Sequence, residues 1–226
     1  MVGTFALVFV GPASVVVASV VPFPITLEGL AFIATVFGCT VASLILLLGG
    51  FSGAHINPAI TVASGLAGGL KRRLILPYLV FQIAGGLLAG LSLKVVLDSF
   101  SPLTDLGSTK LAPGMTPVEG VVIEMAGTLV LAFSALYAST SIRGRRWQAT
   151  LVGATLVVLI MLIGPLTGAS FNPARSLGPS LFSGYFQNQY VYWVGPIVGA
   201  GTAGLIFRAV KNHLRATNEQ HIVCLC

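Results

Sequence analysis

Six long apolar runs fill most of this chain, at about residues 1–21, 29–50, 74–97, 118–141, 148–164 and 190–210. A helix needs about 20 apolar residues to cross about 30 Å of hydrocarbon, and all six runs are long enough or nearly so. Breaks between them carry proline, glycine and charge: Val21-Pro22-Phe23-Pro24, Lys71-Arg72-Arg73, the stretch from Asp98 to Pro117, and Arg143-Gly144-Arg145-Arg146. The expected fold is an all-α polytopic membrane protein with six transmembrane helices. Composition agrees: 8% of the 226 residues are charged, against about 25% in soluble domains. The apolar content also excludes disorder. The net charge of +6 is a modest excess held in short clusters between apolar runs, which argues against a nucleic-acid partner.

Those clusters orient the chain. Lys71, Arg72, Arg73, Arg143, Arg145, Arg146, Arg208, Lys211 and Arg215 all fall on one side of a six-span arrangement. That side, with the C-terminus, is expected to be cytoplasmic in a multi-pass protein of the cell membrane. Glu28, Asp98, Asp105 and Lys110 fall on the other side, and Lys94 snorkels near the outer end of its span.

The two halves repeat. Gly53-Ala54-His55-Ile56-Asn57-Pro58-Ala59-Ile60-Thr61 answers Gly168-Ala169-Ser170-Phe171-Asn172-Pro173-Ala174-Arg175-Ser176 at a spacing of 115 residues. Gly3-Thr4-Phe5 answers Gly127-Thr128-Leu129 at 124, and Tyr78, Gly85 and Gly90 answer Tyr192, Gly199 and Gly204 at 114. The first repeat covers about 1–97 and the second about 118–211. They are expected to form one domain over 1–211, followed by a cytoplasmic tail over 212–226. Three spans per half is an odd number, so the second copy must be inverted in the membrane.

Two further apolar segments, about 57–67 and 172–182, reach only about 15 Å at 1.5 Å per residue. Neither can span alone. In an inverted repeat they enter from opposite faces and meet near the midplane. Irregular backbone at that depth is tolerated only where protein buries it or a wet cavity is lined by it, so a polar pathway is expected there. Asn is a strong N-cap and Pro suits the first helical position, so Asn57-Pro58-Ala59 and Asn172-Pro173-Ala174 read as the starts of two half-helices. Their N-termini carry partial positive charge and would repel cations. Each Asn oxygen caps its helix, which leaves the amide NH₂ to face the path. A water bonded to both amides must point its own hydrogens outward, which breaks any continuous chain of proton donors.

The paired Asn-Pro-Ala boxes, the second followed by Arg175-Ser176, resemble the major intrinsic protein family of aquaporins and glycerol facilitators, in its prokaryotic-type aquaporin form. The resemblance covers about residues 1–211. It implies six spans with two half-helices, a pore in each protomer, and a homotetramer in a lipid bilayer. It also implies an outer constriction of four residues, matched by counting from the two asparagines: Phe37, Ile160, Ala169 and Arg175. Arg175 would be the one fixed charge, offering donors to a passing oxygen while opposing cations; an Arg of this kind together with half-helix dipoles is the general account of ion exclusion in such channels. Strict water channels of the family usually carry His at the position of Ile160, so Ile160 with the small Ala169 widens the expected filter. Ser176, where glycerol facilitators carry Asp, and Tyr192-Trp193 point back toward water. The expectation is a channel for water with a relaxed cutoff for small neutral solutes; a glycerol facilitator is the alternative. The resemblance gives Glu124, the only acid well inside a span, the role of propping a half-helix loop. Pairing Gly3 with Gly127 puts its counterpart just before Met1, so the first span is expected to lack its first turn or two.

Other readings rank lower. A secondary transporter shares inverted repeats but needs more buried titratable groups than Glu124 and Arg175. No Ser/His, HExxH or paired-acid motif has fitting spacing for an enzyme, and no metal or cofactor is expected. A structural junction protein stays open. Cys39 is expected to be a small packing residue, and the terminal Cys224-Leu225-Cys226 a low-ranking candidate for lipidation. His55 is expected to pack or respond to pH in its loop. The glycines at 85, 86, 90, 199, 201 and 204 are expected to permit close helix packing.

Overall fold

The structure is a computed structural model that describes residues 1–20, 26–97 and 105–223. Among the described residues, six helices are long and apolar enough to cross a membrane. They are α1 (Val2–Val20), α2 (Leu27–Ser52), α4 (Arg72–Leu97), α5 (Pro117–Thr140), α6 (Gly144–Thr167) and α8 (Val191–Val223). Two short helices, α3 (Pro58–Leu66) and α7 (Pro173–Ser183), hold 9 and 11 residues. A 3₁₀ turn at Asp105–Gly107 follows α4.

Local sequence accounts for the ends. Thr26 caps α2 by accepting from Gly29 N, and Thr116 with Glu119 forms a capping box ahead of Pro117 on α5. Gly53 and Gly168 end α2 and α6 in the left-handed region, with φ of 70° and 79°, where glycine carries no Cβ penalty. Helix α6 begins four residues before the expected run because its first turn holds Arg145 and Arg146, which a hydropathy reading excludes. Helix α8 does not stop at 211: residues 212–223 contain neither proline nor glycine, and the helix continues through them. The Val21-Pro22-Phe23-Pro24 break, Asp98, Cys224 and Cys226 lie outside the described residues.

The packing follows the repeat. In the first half α1 packs on α2 and α4; in the second, α5 packs on α6 and α8. Across the halves, α2 packs on α6. Each half-helix leans on the last span of the other repeat, α3 on α8 and α7 on α4. This exchange ties the halves into one body. Small residues make it possible. Ala59, Ala63, Ala200 and Ala203 are fully buried between α3 and α8, and a Cβ placed on Gly90 would collide with Gly178 O, between α4 and α7. With lipid as apolar as the side chains, such close backbone approach drives helix association.

Two expectations change. Gly201 is not at a tight contact: a Cβ there would meet only Leu66 Cδ1 at 3.5 Å. Cys39 is exposed rather than packed inside. Its neighbours Phe37, Gly38 and Val41 take the inward face of α2, and the 3.6-residue period turns Cys39 outward.

A Cβ on Gly199 would collide with Met125 O. Gly199→Ala is therefore expected to destabilise the fold by about 1–3 kcal/mol, the usual range for overpacking. Gly201→Ala should leave thermal unfolding in detergent unchanged.

Candidate functional site

The two half-helices meet end to end through their first residues. Asn57 Oδ1 accepts from Ala59 N at 2.8 Å, and Asn172 Oδ1 accepts from Ala174 N and Arg175 N at 3.0 and 3.3 Å. Each amide also reaches across the junction. Asn57 Nδ2 donates to Phe171 O at 2.8 Å, and Asn172 Nδ2 donates to Ile56 O at 3.2 Å. Capping chemistry alone leaves the whole NH₂ group free; the structure spends one of its two hydrogens on the opposite loop. One hydrogen per amide is left to face the cavity that both asparagines line.

The loops before the half-helices are strained in matching places. Ala54 and Ile56 have φ of 48° and 45°, and Ala169 and Phe171 have 44° and 52°. A non-glycine residue in this region costs about 1–3 kcal/mol. The strain aims the carbonyls of Ile56 and Phe171 at the opposite asparagines, and these bonds offset it.

Glu124 secures the second loop. It is fully buried on α5. Its carboxylate accepts from Ser170 N at 2.9 Å, Phe171 N at 2.8 Å and Thr167 Oγ1 at 2.7 Å. Tyr192, also fully buried, donates its hydroxyl to Thr167 O at 2.9 Å. Thr109, Ser170 and Ser176 join in a run of hydroxyl contacts beside this group, and Gln189 Nε2 donates to Ser180 Oγ at 2.6 Å. Sequence reasoning missed Thr167, Thr109 and Gln189. Isolated polar residues in loops and near span ends carry no motif, and only their burial marks them.

Arg175 follows the second box and is 3% exposed. Its Nη1 donates to Gly107 O at 2.9 Å, and its guanidinium lies 5.2 Å from the centre of the Phe37 ring. Gly107, in the turn after α4, was also missed; its φ of 69° and its tight contact with Pro12 fix the carbonyl that holds the arginine.

Two cavities flank this point. One, of about 450 Å³, lies toward the basic loops and is lined by Asn57, Asn172, His55, Ile45 and Gln148 among others. The second, of about 730 Å³, opens toward the other face and is lined by Ile160, Gly107 and Lys110 among others. Phe37, Ala169 and Arg175 are the residues common to both linings. Three of the four residues matched to a constriction therefore line both cavities, and Ile160 lines the second alone. His55 packs its ring 5.2 Å from Tyr78, and its Nδ1 lies 3.3 Å from Thr61 Oγ1, to which Gln82 Nε2 donates at 2.9 Å.

Removing the Glu124 side chain would leave two buried backbone N–H groups and a hydroxyl unpaired. At about 1–3 kcal/mol for each unsatisfied group, Glu124→Ala should lower resistance to unfolding by several kcal/mol. Glu124→Gln, which keeps one acceptor oxygen, should lose less; denaturant titration in micelles checks the order.

Comparison with known proteins comes to the same place. The sequence profile of the major intrinsic protein family matches residues 1–207. Aquaporin NIP1-1 of Zea mays is 35% identical over 222 residues, covering 96% of this chain and 73% of that protein. Nodulin-26 of Glycine max is 33% identical over 215 residues, covering 93% and 75%. Among solved structures, the aquaglyceroporin from Plasmodium falciparum aligns with a TM-score of 0.78 over 92% of this chain and 90% of that one. At 19% identity that likeness speaks to the fold.

Proposed function

The chain belongs to the major intrinsic protein family, and on that footing we propose that it is a passive pore for water and small neutral solutes. Phe37, Ile160, Ala169 and Arg175 form its filter, and the two Asn-Pro-Ala boxes its central barrier to ions. The observation that carries this reading is the neck: two cavities from opposite faces, with Phe37, Ala169 and Arg175 in both linings. A solute passing the neck exchanges bulk hydrogen bonds for those of the wall. Arg175 donates from Nη1 to Gly107 O, which leaves further guanidinium N–H groups to offer a solute oxygen. The apolar edge of Ile160 offers no hydrogen bond, which tolerates the carbon face of a small polyol. A cation meets the fixed guanidinium and the positive ends of α3 and α7.

Proton exclusion rests on the asparagines. The free hydrogen on each amide donates to a water at the junction. That water's own hydrogens then point away along the pore, toward both mouths. Relay of a proton through the junction would require it to accept where it can only donate.

The protein is a multi-pass membrane protein. We propose that it lies in the cell membrane with the C-terminus cytoplasmic, and the basic clusters support that orientation. Arg145 reaches the C-terminal turn of α2, and Lys71 and Arg72 share a cavity with Arg208 and Lys211, so these clusters lie on one face. A homotetramer, each protomer with its own pore, is proposed from the family. Within residues 1–211 the interlocked halves act as a single channel domain.

Stopped-flow shrinkage of proteoliposomes tests the reading. Water flux should be fast, with a low activation energy and no response to a proton gradient. Rates equal to those of empty liposomes would overturn it. Ile160→His should reduce glycerol permeability by a larger factor than water permeability, because it adds a ring edge at the neck. Arg175→Val should admit protons or small cations that the unaltered protein excludes, read as a proton leak in vesicles loaded with a pH dye.

A further inference from the structure

We propose that a basic hollow beneath the end of α3 is a binding site for a phosphate group, supplied in the membrane by the headgroup of an anionic phospholipid. The cavity holds about 370 Å³ and is lined by Lys71, Arg72, Arg208, Lys211, Asn212 and Gly68, among others. The four cations come from different repeats: Lys71 and Arg72 at the start of α4, Arg208 and Lys211 on α8. A topological signal requires only that such residues lie on one face. It does not require that they ring a common hollow.

Among the described side chains no acid pairs with these four cations. Among the described residues the single ion pair joins Lys110 and Asp105, on the opposite face. Four like charges around one space repel, and an anion between them turns that repulsion into attraction. The floor of the hollow does not compete. The closing turn of α3 consumes its own carbonyls: Ala67 N donates to Ala63 O at 2.9 Å, and Gly69 N and Leu70 N donate to Ser64 O at 2.8 and 3.2 Å. Several carbonyls at the negative end of the helix are thus already bonded within the turn. Gly68 has a φ of 77° with no atom within 4 Å of where a Cβ would stand, so the space above it is open.

The donor set fits phosphate oxygens. Two arginines offer planar forks, two lysines offer compact ammonium groups, and the Asn212 amide adds a neutral donor. Basic pockets between spans at the cytoplasmic surface are where phospholipid headgroups bind. An occupant would tie α8 of one repeat to the turn that follows α3 of the other. The site depends on the chain lying in a bilayer and not on what its pore conducts.

Binding is read with the full chain purified in detergent, by native mass spectrometry and thermal unfolding. Dioleoyl phosphatidylglycerol is titrated against dioleoyl phosphatidylcholine and against inorganic phosphate at matched ionic strength. Phosphatidylglycerol should be retained and should raise the unfolding temperature, and phosphatidylcholine should do neither. Lys71→Gln with Lys211→Gln should weaken that response about tenfold or more, on the scale expected for removing two surface cations. Arg72→Gln with Arg208→Gln should do the same. Arg143→Gln with Arg146→Gln removes equal charge from the same face outside the hollow and should retain the response of the unaltered protein. A response to inorganic phosphate as strong as that to phosphatidylglycerol supports the phosphate site and makes the free anion its source. Equal weakening in all three double variants, or no preference for phosphatidylglycerol, overturns the proposal. Water permeability of the variants in phosphatidylcholine vesicles, expected at the level of the unaltered protein, reports their fold and separates this test from that of the pore.

Discussion

Backbone N–H and C=O groups at the centre of a bilayer have no water to bond, and every one left unpaired costs several kcal/mol. A chain that breaks its helices there must supply partners from its own atoms. Here the supply is reciprocal. Each asparagine caps its own half-helix with its oxygen and holds the opposite loop with its nitrogen. Glu124 accepts two amides of the second loop directly. The left-handed residues Ala54, Ile56, Ala169 and Phe171 are the strain that this arrangement carries. The junction is therefore rigid, and its rigidity keeps two helix N-termini pointing at one place.

The neck is assembled from parts distant in the chain. Phe37 comes from α2, Ala169 from a strained loop and Arg175 from α7, with Ile160 of α6 lining one of the two cavities. The turn after α4 adds Gly107 O, which holds the guanidinium. The interlock of α3 on α8 and α7 on α4 sets the depth of both half-helices, so packing by small residues at a distance sets where Arg175 stands. Scarcity of charge serves the same end. Glu124 and Arg175 are the buried charged side chains among the described residues, and charges so placed are screened little.

Much of this is legible in the chain itself. Apolar run length marks the spans to within a few residues, apart from the C-terminal end of α8, because hydrocarbon thickness and helix rise leave little choice. The Asn-Pro pairs mark the half-helix starts because their capping chemistry is local. Where local rules had no purchase, expectation and structure part. Cys39 looks like a packing residue in an apolar run, yet helix rotation turns it outward. Gly201 looks like its neighbours, yet it meets no tight contact. Thr109, Thr167 and Gln189 gave no signal at all, since a buried hydroxyl or amide is distinguished only by the partner that burial brings to it.

The sequence by itself determined the number of spans, the inversion of the repeat, the polarity of the loops and the identity of the residues at the two boxes. These follow from periodicity, odd span count and backbone chemistry within a few residues. Only the tertiary structure decided where each asparagine hydrogen goes, which carbonyl holds Arg175, and that four cations from two repeats surround one hollow. Those outcomes depend on contacts between residues far apart in the chain, such as Arg175 with Gly107 and Asn57 with Phe171. Their geometry is set by how closely helices can approach, and no local pattern in the chain encodes that distance.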